Sequence, residues 1–325
     1  MRKFLGFLFV LILLAALWLG NALFNPYGPS QQKFVTLKPG SSSRAIARTL
    51  QHEGVIRNYY AFLLLTFLEG RHKLKAGEYA FEHPASAFEV YDRLVRGDVY
   101  VRVVPIPEGY NMFDIAQALE SAHICSKQDF LAVAKDPSPV RDLDPQAPSL
   151  EGYLFPDTYR LGRTQSAREI ALEMVRRFRK EAAAIHLTTD IHRVVTLASI
   201  VEKETAVKSE RPLVAGVFEN RMAKHIGLAT DPSVIYAALL AGRYNGVIHQ
   251  SDLAFNSPYN TYKYVGLPPG PIANPGRESL LAAMNPQKTD FLYFVANNQG
   301  GHNFARTLDE HNRNVANYRR GVPQH

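Results

Sequence analysis

The chain of 325 residues contains one cysteine, Cys125, so no disulfide can form within it and no cysteine-based zinc cluster can be built. Its 11 histidines are scattered and show no HExxH spacing. There is no P-loop and no dinucleotide-type glycine pattern, so no cofactor and no metal are expected. A net charge of +7 comes without any concentrated Lys/Arg run, which leaves nucleic acid unsupported as a partner. The charge instead suits anionic surroundings such as phospholipid headgroups or acidic polymers. With 46% hydrophobic residues the chain can bury sizeable cores, and its length suggests two or three domains.

One long apolar run is present, Phe4 to Phe24, preceded by Arg2 and Lys3. Its only strongly polar residue is Asn21, and it is long enough for the roughly 20 helical residues that cross a bilayer. A cleavable signal has a shorter apolar region followed by a small-residue site, and Gly20-Asn21-Ala22 is a poor candidate, so a retained anchor is expected. The cations before the span place the N-terminus in the cytoplasm and the remainder outside that membrane. Residues 25–33, beginning Asn25-Pro26-Tyr27-Gly28-Pro29, read as a linker because Pro and Gly cannot continue the helix.

Residues 34–62 and 103–131 align at a constant offset of 69. Gly40 pairs with Gly109, Ile46 with Ile115, Ala47 with Ala116 and Leu50 with Leu119. Each copy reads as a strand, a Gly turn and an amphipathic helix, capped by Ser42 or Ser43 in the first and Asn111 in the second. The unit is similar to the LysM fold, which binds N-acetylglucosamine polymers. A glycan-binding arm and a spacer that packs are both open. Residues 34–135 are therefore expected to form a LysM-like region, with 74–96 joining the copies.

Residues 136–325 are expected to form a mixed α+β domain. Glu151-Gly152-Tyr153-Leu154-Phe155-Pro156-Asp157-Thr158-Tyr159 reads as a loop or strand whose aromatics either stack on sugar or fill the core. Ser166 with Glu169, and Thr307 with Glu310, are capping-box pairs. Thr230-Asp231-Pro232-Ser233 opens a short helix, and Asn274-Pro275 another. Asn245-Gly246 carries a hairpin signal and Phe291–Ala296 reads as a buried strand. The irregular stretch 256–274 holds Asn260 and Tyr262, and polar–aromatic loops of that length are often functional.

The stretch Val194–Thr205, VVTLASIVEKET, is the most informative. A helix so apolar should be buried, yet it ends in Glu202, Lys203 and Glu204. Carboxylates are costly to bury, and desolvation raises their pKa into the range of a general acid. Two residues apart, Glu202 and Glu204 point to different sides, so at most one faces a given cleft. The bland alternative is a buried helix that becomes charged where it reaches solvent.

Taken together, the N-terminal anchor, EGYLFPDTY at 151–159, LASIVEKET at 197–205, TDPSVIY at 230–236, SPYNTY…GLPPGPIANPG at 257–276 and FVANNQGGHNF at 294–304 resemble the YceG-like (MltG-type) endolytic murein transglycosylases. The resemblance implies an α+β protein with a single transmembrane helix, a LysM-like region and a catalytic domain outside the cytoplasmic membrane. It implies cleavage within peptidoglycan glycan strands, with links to wall-synthesis proteins of elongation or division. Through it Glu202 is assigned as the catalytic residue. Glu204, Asp157 and Asp231 are expected as supporting acids, with Lys203 and Arg221 to tune or hold them. Tyr153, Tyr159, Asn260 and Tyr262 are expected as sugar contacts, and Glu151, Phe155, Thr230, Ser233 and Asn274 are expected to complete the substrate-binding or supporting set. One catalytic carboxylate suits lytic cleavage, in which the muramic acid 6-hydroxyl replaces water and leaves a 1,6-anhydro end. A glycan-binding scaffold without chemistry and a muramidase-type hydrolase are the competing readings.

Overall fold

A computed structural model describes residues 2–70 and 72–321, which form two compact units. The first comprises the chain up to residue 102 together with 160–164, and the second comprises 103–159 and 165 onward.

The first unit runs α1 (Arg2–Phe24), β1 (Lys33–Leu37), α2 (Ser43–His52), α3 (Tyr59–Leu68), β2 (Gly77–Phe81) and α4 (Ala87–Arg96). β1 and β2 pair antiparallel, Val35 opposite Tyr79. Leu37, Ile46, Leu50, Phe62, Leu65, Tyr79 and Leu94 fill the core between this ribbon and the helices. Ser42 caps α2 by accepting from the Ala45 N–H, as its position before the periodic run predicts. The segment expected to join the repeats supplies β2, the return strand of the first copy, and then α4, the helix expected over Ala87–Arg96.

α1 carries the 21-residue segment Phe4–Phe24, long and apolar enough to cross a membrane. Its last turn is not free. Ala22 and Leu23 are buried in the core of the unit, and Phe24 stacks on Phe88 at 5.1 Å. The stretch after it departs from a free linker, because Tyr27 and Ala85 exchange backbone hydrogen bonds of 3.0 and 3.1 Å.

The second unit begins with most of β3 (Arg102–Ile106), then α5 (Met112–Ser121), α6 (Lys127–Ala134) and the first half of β4 (Asp157–Leu161), with β3 and β4 forming a two-stranded sheet. Each copy of the repeat is thus a β–α–α–β unit, although the sequence similarity covers only its first half. The two copies lie in different units, whereas the sequence reading grouped both within 34–135.

Then follow α7 (Ala167–Ala184), α8 (Ile191–Glu204), α9 (Arg211–Ala223), α10 (Asp231–Leu240), α11 (Gln250–Leu253), α12 (Arg277–Met284), β5 (Tyr293–Ala296), β6 (His302–Ala305) and α13 (Leu308–Arg319). α8 is the central helix, with every residue from Val194 to Val201 buried and α9, α10 and α12 packed around it. Both predicted capping pairs place Ser166 and Thr307 at the N-caps of α7 and α13. Tyr244–Val247 lies outside any strand, so the Asn-Gly signal makes no hairpin. The hairpin in this unit is β5–β6, and β5 is half-buried rather than buried.

Candidate active site

α8 ends at Glu204 because Thr205 takes an extended conformation. Its three terminal charged residues leave the helix in different directions. The Glu202 side chain turns inward and is 4% exposed, its Oε1 accepting from Arg211 Nη2 at 2.6 Å and its Oε2 from the Gly276 N–H at 3.0 Å. Arg211, also 4% exposed, reaches toward Glu108 at 3.5 Å. An added Cβ at Gly276 would fall 2.0 Å from Glu108 Oε1, so a larger residue there would have to displace the Glu108 side chain. Lys203 donates to the Gly109 carbonyl at 3.2 Å, tying the helix end to the turn after β3. Glu202 and Lys203 thus both bond to segments distant in the sequence.

Glu204 turns the other way, into a cavity of about 390 Å³. Its floor and walls come from Arg221 on α9, Thr230, Asp231 and Pro232 at the start of α10, Tyr262, and Tyr293 and His311 from the C-terminal hairpin and helix. Among the described residues no hydrogen-bond partner holds the Glu204 carboxyl. Burial, reinforced by the charge of Asp231 and opposed by Arg221, pushes its pKa from 4.5 up to about 7. Arg221 is itself pulled down by desolvation, and its buried Nε has no hydrogen-bond partner. Desolvation and then the Arg221 charge lower the His311 pKa, and Nδ1 of that ring is likewise unpartnered. The Tyr262 hydroxyl donates to Asp231 Oδ1 at 2.6 Å, and burial together with that carboxylate raises its pKa, so it remains a donor.

Beneath this wall lies a buried hydroxyl cluster. Ser233 Oγ donates to the Thr230 carbonyl at 2.7 Å and lies 2.8 Å from Thr261 Oγ1, which accepts from the Thr230 N–H at 3.0 Å. It fastens the 256–264 loop to α10 and sets Tyr262 against Asp231. Asn260 is wholly buried, its Nδ2 donating to the Leu253 and Phe255 carbonyls and its Oδ1 accepting from the Tyr262 N–H. It shapes the loop and presents nothing to a ligand.

The EGYLFPDTY stretch forms a second, buried centre. Tyr153, Phe155 and Tyr159 are at most 5% exposed, with the Tyr153 hydroxyl on Asp144 and the Tyr159 hydroxyl on the Phe155 carbonyl. These aromatics are core, not a stacking platform. Asp157 is exposed and paired with Arg177 at 2.6 Å, away from the cavity. Glu151 is fully buried and accepts from the Met112 N–H at 2.9 Å and from Asn274 Nδ2 at 2.7 Å. Asn274 Oδ1 in turn accepts from the Gly152 and Leu154 N–H groups. Rather than capping a helix, Asn274 spends its amide on this junction, and α12 starts later with Gly276 at its N-cap.

Burial pushes the Glu151 pKa from 4.5 up to about 8. The folded state therefore holds a proton that the unfolded chain has released between those values, and stability falls as pH rises through the interval. Thermal unfolding followed from pH 5 to pH 9 is expected to show this decline, and Glu151→Gln to flatten it by a few kcal/mol.

A larger cavity of about 490 Å³ near the start of α8 is less apt for chemistry. Its arginine, Arg193, is already paired with Glu219 at 2.5 Å. Of the residues singled out in the sequence, Glu204, Arg221, Thr230, Asp231 and Tyr262 come together at the smaller cavity, while Glu202, Glu151, Asn260, Asn274 and the three aromatics do not line it. Tyr293 and His311 were missed. The FVANNQGGHNF motif begins beside Tyr293, but nothing in the spacing of α13 marks His311.

Residues 35–317 match the model of the YceG-like family. An endolytic murein transglycosylase of Bacillus subtilis (strain 168) is 32% identical over 333 residues, which cover 95% of this chain and 91% of that protein. Another, of Streptococcus pneumoniae serotype 2, is 31% identical over 330 residues, covering 90% of this chain and 60% of that one. The 2.6 Å crystal structure of a YceG-like protein of Listeria monocytogenes superposes with a TM-score of 0.56 at 35% identity, over 88% of this chain and 99% of that chain. With the motifs in order along the chain, the fold shared and the match running from β1 into α13, this chain belongs to the YceG-like family.

Proposed function

We propose that this protein is a lytic transglycosylase that cuts within peptidoglycan glycan strands at the bond between N-acetylmuramic acid and N-acetylglucosamine, with Glu204 rather than Glu202 as the acid and base. The observation that carries the reading is the Glu204 carboxyl, unpaired in a cavity and with a pKa near 7. A residue poised there can both give and take a proton at neutral pH. The naming of the relatives as endolytic murein transglycosylases supports the substrate class. Glu202, with both oxygens already accepting and no opening onto the cavity, serves to hold α8 to the Gly276 turn.

Protonated Glu204 donates its proton to the glycosidic oxygen as the bond to muramic acid C1 breaks. Positive charge spreads over C1 and the ring oxygen, and the Asp231 carboxylate in the same cavity stabilises it. Glu204, now a carboxylate, takes the proton from the 6-hydroxyl as that oxygen bonds to C1, closing the 1,6-anhydro ring. The nucleophile belongs to the sugar already bound, so positioning supplies much of the rate. Arg221, which lines the cavity, offers a positive charge to an anionic group of the substrate.

A hydrolase is the second reading, and Asp231 favours it, because a second carboxylate in the cavity is what activation of water requires. Mass spectrometry of products from purified peptidoglycan separates the two. Internal fragments ending in 1,6-anhydromuramic acid are expected, and reducing ends would move the protein to the hydrolases. Removing the Asp231 charge lowers the pKa of Glu204. The alkaline limb of kcat/KM, near pH 7 in the wild type, is therefore expected to move to lower pH in Asp231→Asn.

The further assignments are that α1 is a retained anchor with the N-terminus in the cytoplasm, and that the chain works beside wall-synthesis proteins. The β–α–α–β order of both repeat copies supports the LysM-like reading and a role in holding glycan.

A further inference from the structure

α3, YYAFLLLTFL, is apolar on both faces. Ala61, Phe62, Leu65 and Thr66 face the core. On the other side Tyr60, Leu64, Phe67 and Leu68 are 65, 40, 58 and 66% exposed. Their spacing of four, three and one residues makes a single stripe along the helix. An exposed apolar stripe of this kind marks an interaction surface.

We propose that this face of α3 is a membrane contact, seated in the headgroup–acyl boundary of the bilayer that α1 crosses. The inference rests on the reading of α1 as an anchor. Three observations select lipid as the occupant. α3 packs against α1, and the buried Ala22 and Leu23 place the end of the anchor inside the same unit, with no spacer between. The 21 residues of Phe4–Phe24 rise about 32 Å, which matches the hydrocarbon thickness, so the last turn and the helix beside it lie at the membrane surface. Finally, the stripe has the flanks of an interfacial helix. Tyr59 and Tyr60 stand at its start, Arg48 lies over the Tyr59 ring at 5.7 Å, and Arg57 lies over Tyr27 at 4.8 Å. Amphipathic rings and basic side chains at this level suit anionic headgroups.

The single tryptophan, Trp18, lies within α1 and supplies an internal control. The full chain is reconstituted in vesicles of phosphatidylethanolamine and phosphatidylglycerol carrying brominated acyl chains. Wild-type emission is expected to be quenched by deep bromines. In a Trp18→Phe, Phe67→Trp variant, emission is expected to be quenched by bromines near the headgroup and protected from aqueous iodide. Quenching of Trp18 with a position-67 reporter open to iodide and untouched by bromine would overturn the membrane contact and leave the anchor standing. A reporter shielded from iodide but untouched by bromine would mean that protein covers the face, and would equally overturn it. Absence of quenching at both positions would remove the anchor reading and this inference with it.

Discussion

Glu204→Gln is expected to lower glycan cleavage by roughly 100- to 10,000-fold, the usual contribution of one general acid–base residue, and toward the upper end because one group serves both steps. The amide fills the same volume in the cavity but neither gives nor takes a proton. Stability separates this from a folding defect. The Glu204 pKa, raised to about 7, means that the wild type pays for ionising a desolvated carboxyl as pH rises from 4.5 through 7. The variant has no such cost, so above pH 7 it is expected to be at least as stable as the wild type, by an amount on the order of 1 kcal/mol once solvent access to the carboxyl is allowed for. Product analysis and thermal unfolding at pH 8 give both readouts. Undiminished anhydro products from Glu204→Gln would sink the assignment.

The opposite pattern is expected at the other end of the same helix turn. Arg211→Met leaves the Glu202 carboxylate buried without its cation, which typically costs about 3–5 kcal/mol. For a unit of this size that is a fall in Tm of roughly 10 °C. Glu202→Gln is milder, because the amide oxygen can still accept from the Gly276 N–H, and a cost of about 1–3 kcal/mol is expected with anhydro products retained. Thermal unfolding of both variants, with product analysis of the surviving folded protein, checks the pair. A Glu202→Gln protein as stable as the wild type but without products would return the acid to Glu202.

The contrast between two glutamates two residues apart shows where sequence reasoning stopped. That they point to different sides follows from helix geometry. Which side is a cavity and which an ion pair depends on Arg211 and Gly276 in one case and on α10, α13 and the hairpin in the other, and those segments are distant in sequence. The aromatics of EGYLFPDTY met the same limit. Tyr153 and a sugar-stacking tyrosine look alike until Asp144, nine residues away, is seen to take its hydroxyl. Asn274 read as a cap from its place before Pro275, and only the approach of Glu151 and the Gly152–Leu154 backbone turned its amide elsewhere.

The sequence by itself determined whatever depends on short-range periodicity and capping. That includes the long apolar helix, the repeated strand–turn–helix, the caps at Ser42, Asn111, Ser166 and Thr307, and the burial of α8, because each is decided by residues within one or two turns of one another. It also carried the family, through motifs whose order along the chain is itself information. Tertiary structure decided the rest. It completed each repeat with a return strand, packed the end of α1 into the first unit, and paired one carboxylate with Arg211 while leaving its neighbour in a cavity. The physical reason is that pairing and desolvation are set by groups brought together from far along the chain, and a carboxylate takes its chemistry from them.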